Sequence, residues 1–373
     1  MKKYRTFLFF CISAFILAGC GKKERTDNAG ESVWRMNSCF TETGILYKKS
    51  ETNGKLKYYD YESKEYLTLC AKANCRHDSS ECMSVYLYQN IDFIGKLGDK
   101  WYYRVMKTDE SEGAFYSCDL DGGNEKEVGP FSHGNGKAIG TVNLFYDNVC
   151  VLETEDDYFD ETTGEWTGTG SGIYRFHFDT GEAEVLCEEK EYMRPAYSVY
   201  GKYDNKLLYT EWDGKKNLLK QMDLGTKKSA VILDNINIIT GAVQGNILLC
   251  SASEGERFKL IIVNLETGKQ EHIWTKGVAS DYFWDEELKV FIIYGEESAV
   301  TKDGYARQFF ELYQYMEDGV CRLLRTGDTA KCFIPYVRME DQLIGRDSEK
   351  GELARMNMQD FISGSADWEI LEE

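Results

Sequence analysis

The chain has little proline, 3 residues in 373, and only four histidines, His77, His133, His177 and His272. So little proline excludes collagen-like and proline-rich repeats, and four imidazoles leave few general bases for catalysis. Positive charge is also short, with 44 Lys+Arg against 63 Asp+Glu and a net charge of −19. No long basic block is present, so a nucleic-acid partner is excluded, because phosphate contacts need a positive face. No H-E-x-x-H, G-x-S-x-G or G-x-x-x-x-G-K-[ST] frame occurs, and the glycine-rich loop around His133 (F-S-H-G-N-G-K-A-I-G) is read as a connection between strands. No helical period persists over three turns.

What is abundant is tyrosine (25) and phenylalanine (19), with 7 tryptophans, and a hydrophobic fraction of 42% that can build an ordinary core. This is the composition of a β-rich protein. The N-terminus carries a different signal: Lys2, Lys3 and Arg5, an apolar run from Phe7 to Leu17, then Leu17-Ala18-Gly19-Cys20. The run is well short of the ~20 residues of a permanent membrane helix and has the order of an export signal. Residues 1–19 are therefore expected to be a signal peptide, and residues 20–32, polar and featureless, a flexible tether before a folded body at 33–373. The L-A-G-C run resembles the lipobox of bacterial lipoproteins, and that resemblance implies a lipid on Cys20, diacylglyceryl and palmitoyl, holding the chain to the cell membrane on its extracytoplasmic side. A plain signal peptide with a chance cysteine is the competing explanation.

Along the body, a short alternating strand, a turn and a second alternating strand recur about seven times, as in G-I-L-Y-K-K with L-K-Y-Y-D-Y-E-S-K-E-Y (from Gly44 and Leu56). Taking Asp60, Asp119, Asp179, Asp223, Asn264, Glu317 and Gln359 as equivalent points, the spacings run from 41 to 60 residues. Most lie near the ~40–50 residues of a four-stranded propeller blade. An all-β, single β-propeller, most simply of seven blades, is predicted, and a pair of β-sandwiches is the competing architecture. Residues 32–40 are expected to supply a strand that closes the ring against the last blade, since an open ring leaves sheet edges unpaired. The units F-Y-S-C-D-L-D-G-G-N and I-Y-R-F-H-F-D-T-G-E resemble those of bacterial surface lipoproteins of low-GC Gram-positive anaerobes, whose propeller is like that of the low-density-lipoprotein-receptor-related proteins. The receptors' Y-W-T-D signature is absent, so neither their calcium nor their ligands are implied.

The segment L-T-L-C-A-K-A-N-C-R-H-D-S-S-E-C-M packs Cys70, Cys75, His77 and Cys82 into thirteen residues. Three sulfurs and an imidazole are a zinc ligand set. The spacing C-x4-C-x-H-x4-C fits zinc only loosely, and Cys75 and His77 are close together unless the loop turns sharply; a disulfide pinning the loop, or free thiols, are the alternatives. The lipoproteins named above carry a similar run, with no role that transfers. Cys118, Cys150, Cys187 and Cys250 fall in apolar strands and read as core, while Cys39, Cys321 and Cys332 are undecided. The acidic run with Glu153, Glu155, Asp156, Asp157, Asp160, Glu161 and Glu165 lacks calcium-loop spacing and reads as a solvated hairpin tip.

The expected function is a non-catalytic binding or interaction scaffold, with Tyr158, Trp166, Trp212 and Trp284 as candidate contacts to a glycan, a peptide or an envelope partner. A carbohydrate-active enzyme using paired carboxylates, and a metal- or redox-responsive sensor built on the cysteine cluster, are the alternatives. No cofactor is required for a scaffold, and zinc is the candidate at the cluster. The sequence does not set the oligomeric state.

Overall fold

A computed structural model describes residues 33–35, 38–48, 54–106, 113–131, 139–160, 165–190, 196–234, 237–300, 306–316, 319–328 and 332–371. Cys20, the segments expected to be a signal peptide and a tether, and His133 lie outside them. The described strands form seven antiparallel sheets in chain order, spanning residues 33–68, 91–131, 139–190, 197–233, 237–275, 277–328 and 333–370. These are seven blades in a ring. Six have four strands and the first has five, each strand pairing with its sequence neighbour. The first strands of successive blades lie side by side, as expected for strands nearest the axis.

The repeated Asp or Asn has a local cause. Asp60, Asp119, Asp223 and Asn264 end the next-to-outermost strands of blades 1, 2, 4 and 5. There the side-chain oxygen nucleates the next turn: Asp223 Oδ1 accepts from the amides of Gly225 (3.1 Å) and Thr226 (2.7 Å), and Asn264 Oδ1 from those of Glu266 (3.1 Å) and Thr267 (2.9 Å). Elsewhere the register differs. Asp179 lies two residues beyond its strand, Glu317 falls outside the described residues, and Gln359 sits in a short helix, Met358–Ser363, that follows the true strand end at Asn357.

Burial is concentrated between blades. Trp101, Tyr103 and Leu46 pack blade 1 to blade 2, while Phe93, Phe115, Phe176 and Phe178 pack blade 2 to blade 3. Six of the seven first strands carry a bulge, and a polar residue fifth along the second strand reaches the following blade at three of them. A Glu153 carboxylate oxygen accepts from the Val199 amide, Ser251 Oγ accepts from the Ala279 amide at 3.1 Å, and Tyr294 donates to the Phe333 carbonyl at 3.3 Å. At Val199 and Ala279 the contacted amide adjoins the bulge, which frees backbone groups from the ladder for these side chains to satisfy.

Ring closure differs from the expectation. Val33–Arg35 pairs with Ser38–Phe40, which in turn pairs with Gly44–Lys48, so the N-terminal strands extend blade 1 and do not join the last blade. Blade 7 is built wholly from residues 333–370. Side chains close the ring instead: Phe40, Ile45, Tyr47 and Tyr59 pack against Ile344, Leu353 and Leu371, and Phe40 meets Tyr336 edge-on at 5.3 Å. Tyr47 donates to the Gly351 carbonyl at 2.6 Å and Tyr66 to that of Leu371 at 3.2 Å. The apolar faces make the seam without exchange of a strand.

Candidate metal centre

The cysteine and histidine cluster occupies a strap between blades 1 and 2. The outermost strand of blade 1 is only three residues, Tyr66–Thr68, and stops short. The chain then runs through residues 69–82 into the helix Met83–Asn90, which delivers it to the first strand of blade 2 at Ile91. Val85 and Leu87 of the helix are buried, and Ser84 Oγ donates to the Leu56 carbonyl at 2.6 Å, so the helix closes the core between the two blades. The strap also lies against the turn of blade 2. Gly122, at φ 84°, sits where a Cβ would be 3.3 Å from the Leu69 carbonyl oxygen, so glycine suits both the turn and the close approach.

Within the strap, one ligand atom from each of Cys70, Cys75, His77 and Cys82 lies within 4.8 Å of all the others. His77 Nδ1 is 3.2 Å from Cys82 Sγ. The tight spacing of Cys75 and His77 is resolved by backbone geometry: Asn74 (φ 59°) and His77 (φ 54°) are both left-handed, which folds the loop back on itself. Hydrogen bonds fix the rest, from Cys75 N to Lys72 O (3.3 Å) and from Cys82 N to Ser79 O (2.9 Å), while Lys72 Nζ reaches the Glu81 carbonyl across the loop. The cluster could hold a metal ion. No disulfide joins any of the ten described cysteines.

The sulfurs differ electrostatically. Burial opposes ionisation of Cys70, yet the Lys72 amide, the neighbouring thiols of Cys82 and Cys75 and the Met83 amide together hold it below the usual thiol range. Cys82 is pushed up to about 11 by burial, with the Val85 and Ser84 amides at the helix N-terminus opposing and the other two cysteines adding. Cys118, Cys150, Cys187 and Cys250 are buried in strands as expected, and burial raises Cys118 to about 12 and Cys150 and Cys250 still higher.

The four candidate aromatics do not converge. Tyr158 and Trp166 lie in the backbone of the hairpin formed by Val149–Asp160 and Glu165–His177 of blade 3; their side chains lie outside what is described. Trp212 ends the second strand of blade 4, half-buried, at the same end of the ring as that hairpin. Trp284 is at the opposite end, in the first strand of blade 6, 9% exposed and packed against Phe291 and Tyr315. It serves the core between blades 5 and 6. The sequence reading also missed two features: the helix Met83–Asn90, and the polar residue fifth in each latching strand, visible only as an interruption in an apolar run such as V-C-V-L-E.

Two hairpins overrun the ring. The second strand of blade 3 has 12 residues and that of blade 6, Val290–Val300, has 11, against 7 in blades 2 and 4. At about 3.3 Å per residue the excess is about 15 Å, on the end of the ring where second and third strands are joined. The acidic run lies along the first of these hairpins. Among the described carboxylates Glu311 is held above its ordinary range by burial, but it is 4% exposed and bonded to Tyr313 Oη at 2.7 Å. The two cavities described, about 470 and 250 Å³, both lie at blade 7, and Arg355 and Glu369 in the larger pair with each other.

This geometry defines a seven-bladed β-propeller. The chain is similar to an oligogalacturonate lyase from Vibrio parahaemolyticus (10% identity, 84% of this chain and 85% of that one, TM-score 0.50). Similarities also extend to the β-propeller domain of the Trilobed protease from Pyrococcus furiosus, described as having an open velcro topology (14% identity, 78% of each chain, TM-score 0.43), and to TolB from Acinetobacter baumannii (14% identity, 86% and 76%, TM-score 0.39). At such identities the likeness concerns fold alone. No protein-family model and no curated protein matches the chain.

Proposed function

We propose that the chain is a lipoprotein held on the extracytoplasmic face of the cell membrane through Cys20, and that its propeller is a non-catalytic scaffold binding a glycan, a peptide or an envelope protein. The observation that carries the binding role is the pair of hairpins projecting from one end of the ring. A rigid β framework with extended loops on one end is a common arrangement for recognition. The blade 3 hairpin carries Glu155, Asp156, Asp157, Asp160 and Glu165, a density of carboxylates that favours a positively charged peptide or protein over a neutral glycan. Anchoring rests on the L-A-G-C run and its likeness to the lipobox. Such a scaffold needs no cofactor, and a metal at the Cys/His cluster, zinc by the softness of its donors, would act on the fold.

Two assays test this. Cells given an alkyne analogue of palmitate label the full chain and fail to label the Cys20→Ser variant. The purified full chain is then screened against peptide and glycan arrays beside a variant in which residues 156–170 are replaced by Asn-Gly, a turn that joins Glu155 to Ser171 directly. Loss of binding in the variant supports the reading. Binding that survives the replacement, or turnover of a polysaccharide by the unaltered chain, contradicts it.

A further inference from the structure

We infer that Cys70, Cys75, His77 and Cys82 form a closed structural zinc site whose work is to fasten blade 1 to the ring. This goes beyond the scaffold role and does not depend on it. All four ligand atoms lie within 4.8 Å of one another. A tetrahedral ion with metal–sulfur bonds of about 2.3 Å has sulfur–sulfur edges of about 3.8 Å, so shifts of an ångström or less close the shell. A disulfide would use two sulfurs and give no reason for the third, nor for the imidazole turned toward Cys82 by a left-handed backbone at its own Cα. Three sulfurs and one nitrogen fill four positions and leave none for water, which is the arrangement of a structural rather than a catalytic site. The backbone around the sulfurs is compatible with thiolates: the amides of Lys72 and Met83 favour the ionised form of Cys70, and those of Val85 and Ser84 that of Cys82.

The position explains why an ion is useful. Blade 1 is held to blade 7 by side-chain packing and two tyrosine hydrogen bonds, without strand exchange, and its outermost strand is three residues long. On its other side the connection to blade 2 is this strap and its helix. Linking Cys70, at the end of blade 1, to Cys82, at the helix start, closes the strap at the point where it lies over the blade 2 turn at Gly122. Metal binding of this kind contributes directly to folding.

The test uses the full chain purified in detergent under reducing conditions. Native mass spectrometry is expected to show one Zn²⁺ per chain, falling to less than about one-tenth in Cys75→Ser and His77→Ala. Chelation is expected to lower the melting temperature and to expose Cys70, Cys75 and Cys82 to alkylation. Because these variants could lose the ion by misfolding, His77→Cys provides the control. It retains the ion, and with cobalt in place of zinc the thiolate charge-transfer absorption rises by about one third, as four thiolates replace three. Reduced chain that takes up no Zn²⁺, a mass two hydrogens low with a bridge among the three cysteines, or metal retained in both Cys75→Ser and His77→Ala would overturn the inference. None of these results bears on partner binding by the hairpins.

Discussion

Asp285 ties blade 6 to blade 7, and its removal should be among the more damaging changes to the ring. Its carboxylate is 4% exposed and accepts two bonds from one Arg338 nitrogen, at 2.9 and 3.0 Å, and a third from the Leu288 amide at 2.8 Å. Truncation to alanine strands both donors. Breaking a buried ion pair on one side costs about 3–5 kcal/mol, and Arg338 retains Glu287 at 3.2 Å and some access to water, so the lower end, about 3 kcal/mol, is expected. Asp285→Asn keeps an acceptor for the amide and should cost roughly half as much. Urea unfolding of both variants, together with Arg338→Met and the double mutant, measures this. A coupling of about 2 kcal/mol in the cycle is expected. Asp285→Ala within about 0.5 kcal/mol of the parent, with no coupling, would refute the claim that this pair holds the two blades together.

Other outcomes follow from the same contacts. Glu184, bonded to Lys227 across blades 3 and 4 at 2.6 Å and also to Arg175 and His177, is held at about 2, below its unfolded value near 4.3, so its contribution is complete above about pH 5 and is lost as pH falls toward 2. Partial exposure limits the effect to about 1 kcal/mol, and the stability difference between parent and Glu184→Gln should shrink on acidification from pH 6 to about 3; a constant difference would contradict the assignment. At the ring seam, Tyr47→Phe with Tyr66→Phe removes two bonds from blade 1 to blade 7 and should cost about 2 kcal/mol in total by urea unfolding, and no loss would mean that the seam is apolar packing alone. Phe115, fully buried and stacked on Phe176 at 4.5 Å, should cost about 4 kcal/mol on truncation to alanine, and a cost under about 1 kcal/mol would show that the blade 2 to blade 3 core tolerates a cavity there.

The blade repeat was legible in the sequence because in four blades the turn between the two outermost strands uses a side-chain acceptor, and Asp60, Asp119, Asp223 and Asn264 supply it at the same structural point. Where a helix or a longer turn replaces that device, as at Gln359, the marker drifts. The seam was misjudged for a physical reason: an N-terminal strand can satisfy its backbone on either sheet, and only the packing of Phe40 and Ile45 against Ile344 and Leu353 shows that side chains suffice. The helix Met83–Asn90 was invisible because M-S-V-Y-L-Y-Q-N is rich in strand formers and spans about two turns, so tertiary burial of Leu87 and Val85 decides it. The Cys/His cluster was found by composition, but its spacing argued against a shared site. Left-handed Asn74 and His77 removed that objection; both are residue types enriched in that conformation, but most copies of either do not adopt it, so the sequence did not mark these two. Trp284 reads like any surface tryptophan until its neighbours Phe291 and Tyr315 are seen.

The central claim is that four side chains of the strap act as one ligand set. X-ray absorption at the zinc edge of the full chain, purified reduced, tests it most directly. The account predicts three sulfurs at about 2.3 Å and one nitrogen at about 2.0 Å, with no oxygen shell. An oxygen-dominated shell, or a sulfur count of two or fewer, would contradict it.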